Sequence, residues 1–228
     1  MSSNRPLESD LRQRASLAGA AAQWRRWDAN MPSLEQSVKS QFAKVFSTSD
    51  WRLFKEMAEI NLSEVAFLKK SSFDVAEHRR LLVRNSRKRL LIGIGAELLL
   101  KAVYLKAGYC INKPQDNKAP VKLPFKQAEA TQCPLKADDT YTLDQLTGQL
   151  KKIVQLPNPQ VVMDGLSIAK VFRNKEGHIV THAHKFDPSS YRAIEAALIE
   201  IYARAFHERL TVRFSLEPGE KGAWRVAP

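Results

Sequence analysis

Cysteine is scarce in this chain. Only Cys110 and Cys133 occur in 228 residues; they form no C-x-x-C and make no disulfide framework, so a reducing compartment is the simplest expectation. Long apolar runs are also missing. No stretch approaches the ~20 residues that span a bilayer, and the start, Met1 to Pro6, leads into a charged segment instead of an apolar signal core. The expected setting is cytoplasmic, with no membrane partner. Acidic residues are outnumbered: 24 Asp+Glu face 36 Lys+Arg, a net charge of +12. A surplus of that size implies a polyanionic partner, nucleic acid or an anionic surface. No internal repeat is found. What remains is a chain long enough to bury a core without a disulfide or metal staple.

Most of that chain reads as helix. Residues 7–30 are rich in Ala, Leu, Arg and Gln, good helix formers, and Pro32 ends the segment. Ser33 suits an N-cap for a helix through Phe46. The stretch Ser47–Asp50 signals another start, before an apolar helical segment from Trp51 to Lys70. Asp74 is a third N-cap candidate, and Val75–Ala107 runs without proline. Its second half carries Leu91, Ile94, Leu98, Ala102 and Leu105 at helical spacing, with Gly108 placed to cap it. Gly93 and Gly95 mark a close helix crossing or a kink. Residues 110–140 hold four prolines and no sustained period, so a long insertion loop is expected. Thr142 to Gln145 has capping-box spacing, a helix follows from Gln160 to about Asn174, and Asp187-Pro188 opens the next through Leu210. The tail over 211–226 suits a short β-hairpin. The expected fold class is all-α, in three parts: an N-terminal helical extension (1–46), a helical domain (47–210) and a tail (211–228).

Chemistry concentrates in one place, Val171 to His184, which holds three of the five histidines. Arg173, Asn174 and His178 stand in an R-N-x-x-x-H pattern. Arg173 offers a permanent cation with a planar fork of donors, suited to a phosphate. His178 is the side chain most easily used for proton transfer near neutral pH, and the Asn174 amide can orient a substrate or the histidine. RNA cleavage needs such a set: a base for the 2′-hydroxyl proton, a cation for the charged phosphorane, and a proton for the leaving oxygen. No metal is required when the 2′-oxygen is the nucleophile. On a straight helix, residues five apart are rotated by about 140°, so Arg173 and His178 converge only through the arginine's reach or a change at Gly177. A second acid–base group is also lacking; two copies across a symmetric dimer would supply it.

The R-x(4–6)-H spacing, with a polar residue after the arginine, resembles the signature of the HEPN superfamily of compact helical domains. The upstream helix Ile94-Gly-Ala-Glu-Leu-Leu-Leu-Lys-Ala102 is similar to that superfamily's, and the two motifs stand in the expected order. The resemblance covers roughly residues 50–210. It implies a HEPN-like helical bundle acting as a metal-independent endoribonuclease. Such a protein works as a homodimer with the two motifs facing across a cleft, in a toxin or phage-defence role. Arg173 and His178 would then be catalytic, Asn174 would assist, and Glu97 would be a helper near the site. Some related toxins carry a tyrosine two residues after the histidine, which their antitoxin modifies; here Val180 stands there, so that mode of control is not implied, although an antitoxin or other regulatory protein remains an expected partner. The 110–140 insertion and N-terminal helices depart from the minimal domain.

Bland readings accompany each feature. Arg173 and His178 suit a helix C-terminus whose dipole favours cations, and Glu97 can pair with Arg89 or Lys101 in helical reach. His178, His182 and His184, with Asp187, match no zinc spacing that can be justified, so neither metal nor cofactor is expected. The cluster Arg79, Arg80, Arg84, Arg87, Lys88 and Arg89 is expected to contact RNA backbone, the alternative being a solvated helix face. The rival function is a non-catalytic helical module that binds nucleic acid or a partner protein. A more remote rival is an enzyme acting on a nucleotide or small phosphate.

Overall fold

A computed structural model describes residues 33–47, 50–65, 75–116, 122–129, 133–176, 187–212, 214 and 224–226; the side chains of 75–82, 176 and 224–226 are outside that description. Residues 1–45 and 46–228 form two separate compact units. Helix α1 (Leu34–Phe46), which lies in the first unit up to Val45, is opened by a reciprocal cap. The Gln36 amide donates to Ser33 Oγ at 3.1 Å, and the Ser33 amide donates to Gln36 Oε1 at 3.0 Å. No residue of α1 is buried, and Leu34, Val38 and Phe42 are exposed.

The second unit is built around one long helix. α2 spans Trp51–Glu64, capped by the Asp50 carboxylate on the Arg52 amide at 3.0 Å. α3 spans Val75–Lys106. It ends in a Schellman cap: Gly108 takes φ +78°, its amide donates to the Leu105 carbonyl, and the Tyr109 amide reaches back to the Tyr104 carbonyl at 2.9 Å. The Tyr104 and Tyr109 rings meet edge-on behind this cap. α4 (Leu143–Gln149) begins with the capping box of Thr142 and Gln145 and runs on into a short 3₁₀ turn, Leu150–Lys152. α5 (Pro159–Glu176) and α6 (Pro188–Phe206) follow, the latter opened by Asp187, whose carboxylate accepts from the Ser189 amide at 2.7 Å.

α3 packs against α2, α5 and, less extensively, α4 and α6, while α5 and α6 pair with each other. Small residues set how closely these helices approach. A Cβ on Gly95 would lie 2.7 Å from Leu62 of α2, and one on Gly165 of α5 would lie 2.3 Å from the Ala193 carbonyl oxygen of α6. The core between them is apolar, with Phe54, Leu99, Leu100, Leu166, Phe172 and Ile201 fully buried. Among the described residues, no helix is long and apolar enough to cross a membrane.

The fold is mainly α, as expected, and one correction arises after α3. Two short strand pairs join the helices: β1 (Asn112–Pro114) pairs antiparallel with β2 (Leu135–Thr140), and β3 (Leu210–Val212) pairs with β4 (Trp224–Val226). The second pair lies where a hairpin is expected. The first lies inside the stretch expected to be loop. β2 reads Leu-Lys-Ala-Asp-Asp-Thr and shows no apolar alternation, so its sequence carries no strand period. It is held by pairing and by anchors at its edges. Ile111 and Phe125 are buried, the Cys110 amide donates to the Phe125 carbonyl, and the Tyr141 amide donates to the Ile111 carbonyl at 2.8 Å. Leu210, Val212 and Phe214 are also buried in the core.

Candidate functional site

The residues singled out by the sequence meet where α3 crosses α5. Gly93, Glu97 and Lys101 recur at intervals of four on α3 and so share one face. Gly93 lets the α5 backbone come close: a Cβ there would lie 2.6 Å from Arg173 Cβ and 2.8 Å from Arg173 Cα. One turn further along α3, the Glu97 carboxylate lies between two cations. Its Oε2 is 2.6 Å from Arg173 Nε, and its Oε1 is 2.9 Å from Lys101 Nζ. The Lys101 amine also lies 5.2 Å from the centre of the Phe46 ring.

The three charges differ in access to solvent. The side chains of Glu97 and Lys101 retain 9% and 5% exposure, whereas Arg173 retains 39%. The carboxylate is therefore a buried anchor that holds the arginine at its Nε edge, and the rest of the guanidinium reaches the surface. Arg173 Nη1 donates to Asn174 Oδ1 at 3.3 Å, and Asn174 is exposed. Among the described residues, Glu97 and Asn174 are the polar partners of the Arg173 side chain. An arginine fixed at one edge and open at the other is pre-organised to receive an anion.

Of the four residues expected to be catalytic, three come together: Glu97, Arg173 and Asn174. His178 lies outside the described residues, as do His182 and His184. Glu97 pairs with Lys101 as well as with Arg173, so the bland reading of Glu97 and the functional one describe the same contact. Among the described residues, no group of three or more His, Cys, Asp or Glu is placed to hold a metal ion.

The basic cluster divides. Arg79 and Arg80 lie on α3, but their side chains are outside the described set. Arg84 is half-buried, and Arg87 is exposed and bonded to Glu64 of α2 at 2.8 Å. Lys88 and Arg89 are a correction. They are 6% and 3% exposed, and the Lys88 amine sits 4.5 Å from the centre of the Tyr191 ring on α6. Position 88 shares a helix face with the buried Ile92 and Ala96, so a run that looks uniformly basic in sequence turns partly inward in the fold. Neither residue is presented to a polynucleotide backbone. Trp51 stacks on Phe206 with ring centres 5.6 Å apart; Trp24 and Trp27 are outside the described residues.

A second polar cluster has no counterpart in the sequence reading. The Tyr202 hydroxyl of α6 donates to Glu59 of α2 and lies 3.2 Å from Glu208, while Lys55 reaches Glu208 at 2.6 Å and Glu59 at 3.3 Å. Burial and the Glu59 hydrogen bond raise the Tyr202 phenol above its ordinary value. Burial pushes the Lys55 amine down, but its bonds to Glu208 and Tyr202 and the Glu59 charge outweigh that and leave it raised. The four-residue spacing of Lys55 and Glu59 is the only local hint of this cluster.

Comparison with family models, with curated proteins and with solved structures finds no match to the chain.

Proposed function

We propose that the protein is a metal-independent endoribonuclease of HEPN type, acting as a homodimer in the cytoplasm as a toxin or phage-defence effector. The observation that supports this reading best is the 2.6 Å contact of Glu97 with Arg173. It joins the two motifs on which the HEPN resemblance rests, at a glycine-permitted crossing, and leaves the arginine open to solvent. In this reading Arg173 receives the scissile phosphate and stabilises the phosphorane, and Asn174 positions it. The 2′-oxygen, once its proton is removed, attacks phosphorus; the bond to the 5′-oxygen breaks and that oxygen takes a proton. The products are a 2′,3′-cyclic phosphate and a 5′-hydroxyl end. His178 is the group assigned to proton transfer, and the second copy in a dimer supplies the other.

A second reading is a binding module without catalysis. It draws on the same ion pair, since a carboxylate that ties two helices together needs no substrate, and on the net charge of +12. An RNA digest in the presence of a chelator separates the two. The endoribonuclease reading expects cyclic-phosphate ends that persist in chelator and vanish in Arg173→Ala and His178→Ala. Cleavage that survives unchanged in His178→Ala removes the assignment. Salt-sensitive RNA binding with no cleavage at any protein excess establishes the binding module.

A further inference from the structure

A cleft of about 640 Å³ opens where the C-terminal ends of α3 and α6 meet the turn Ile153–Pro157, and its volume falls in the range of small-molecule sites. It is remote from Arg173. Gly93, which touches Arg173, and Lys106, which lines the cleft, are thirteen residues apart on α3, about 20 Å at the helical rise. The lining separates by chemistry. Val103, Ile153, Leu156 and Pro157 give an apolar floor. Lys106, Arg204 and His207 supply the basic groups, and no carboxylate is among the lining residues.

The basic groups are not equally committed. The Lys106 amine donates to the Ala205 carbonyl at 2.8 Å, which fixes it in the wall. Arg204 bonds Glu200 through Nε at 2.9 Å, and its side chain is 52% exposed, so the Nη edge is open to a ligand. His207 is exposed and ends α6 in the left-handed conformation, φ 59°, a backbone setting uncommon for a residue other than glycine. The two helix C-termini at the cleft bring partial negative charge, which opposes anions, and Arg204 already pairs with Glu200; Arg204 and His207 therefore suit a ligand with a single negative charge and not a polyanion.

We infer that this cleft binds a small organic monoanion with an apolar body, an alkyl or aryl carboxylate. The body lies on the Ile153–Leu156 floor, and the carboxylate is taken by Arg204 and His207. The site is independent of the RNA-cleavage reading.

Calorimetric titration of the full chain with three eight-carbon probes tests it: octanoate, octan-1-ol and octylammonium. Octanoate is expected to bind saturably at one site per chain, at least tenfold more tightly than octanol, with no binding of octylammonium. Arg204→Gln and His207→Asn are each expected to weaken octanoate at least fivefold without moving the melting temperature; asparagine is chosen because it tolerates the left-handed backbone. No octanoate binding up to millimolar concentration overturns the proposal. So does equal binding of the three probes, or octanoate affinity that neither substitution changes.

Discussion

Gly93 of α3 lies directly beneath Arg173 of α5, so close that a methyl group on the glycine would overlap the arginine's backbone and Cβ. Backbone atoms cannot swing aside as a flexible side-chain end does. Gly93→Ala is therefore expected to push the helices apart and cost about 1–3 kcal/mol in urea denaturation. Gly148 of α4 is the internal control, because a Cβ there meets nothing within 4 Å. Gly148→Ala is expected to stabilise by roughly 0.5–1 kcal/mol through helix propensity alone. Equal responses at the two positions would refute this account of the α3–α5 crossing.

The Glu97–Lys101 pair is nearly dry, and a buried pair reacts unequally to single and double substitution. Glu97→Ala leaves the Lys101 ammonium buried without its carboxylate, and the expected cost is roughly 3–5 kcal/mol. Glu97→Met combined with Lys101→Met removes both charges and fills the space with apolar atoms. That double variant is expected to be more stable than Glu97→Ala, with Arg173, which reaches solvent, turning to water. Chemical denaturation of the wild type and the two variants measures the difference. A double variant at least as unstable as Glu97→Ala would show that the charges do more for stability than satisfy one another.

Local rules carry much of this fold. The caps at Ser33, Asp50, Thr142 and Asp187 and the Gly108 terminus all follow from one or two residues acting on the backbone beside them; Asp74, the cap expected for α3, lies outside the described residues. Long-range effects escape such reading. β2 is polar and without alternation, and it is a strand because Ile111, Phe125 and Tyr141 pin its surroundings to the core. Lys88 and Arg89 look like part of a basic surface until the placement of α3 between α2 and α6 turns them inward. At the site, Glu97 and Arg173 were recognisable as residue types. A Glu97–Lys101 pair and a close crossing at Gly93 were legible too; what the chain alone does not show is that one carboxylate serves Lys101 and Arg173 together, or that Arg173 is the residue facing Gly93.

Alkaline pH is expected to weaken the fold from about pH 10 upward. Burial raises the Tyr104 and Tyr202 phenols and pushes Tyr141 up to about 12; Lys55 is also raised. In the unfolded chain these groups lose protons near their ordinary values, about 10 for tyrosine and 10.4 for lysine. Above that range the unfolded state binds fewer protons than the folded one, so stability falls as pH rises. It is fully present below pH 10. Absorbance at 295 nm, followed together with circular dichroism, should show part of the tyrosine signal appearing only as the helices melt. Tyr202→Phe should reduce that late fraction. A tyrosine signal that appears in full before any loss of helix would contradict the burial assigned to Tyr104, Tyr141 and Tyr202.

Replacing Arg173 by lysine separates charge from geometry. Arg173 meets Glu97 through Nε and keeps its Nη edge for solvent and Asn174. Lysine retains the positive charge but has a single nitrogen, which can satisfy the buried carboxylate or an incoming phosphate, not both in the same geometry. Arg173→Lys is expected to melt within a few degrees of the wild type and, under the endoribonuclease proposal, to lose cleavage by about 10²-fold, in the range seen when one transition-state donor is removed. Arg173→Ala is expected to lose as much activity and some stability too, because Glu97 then faces Lys101 alone. Cleavage rates on a single-stranded RNA in chelator, read beside the melting temperatures, distinguish the outcomes. If Arg173→Lys cleaves as the wild type does, Arg173 serves as a bare charge and the Glu97 anchor has no part in presenting it.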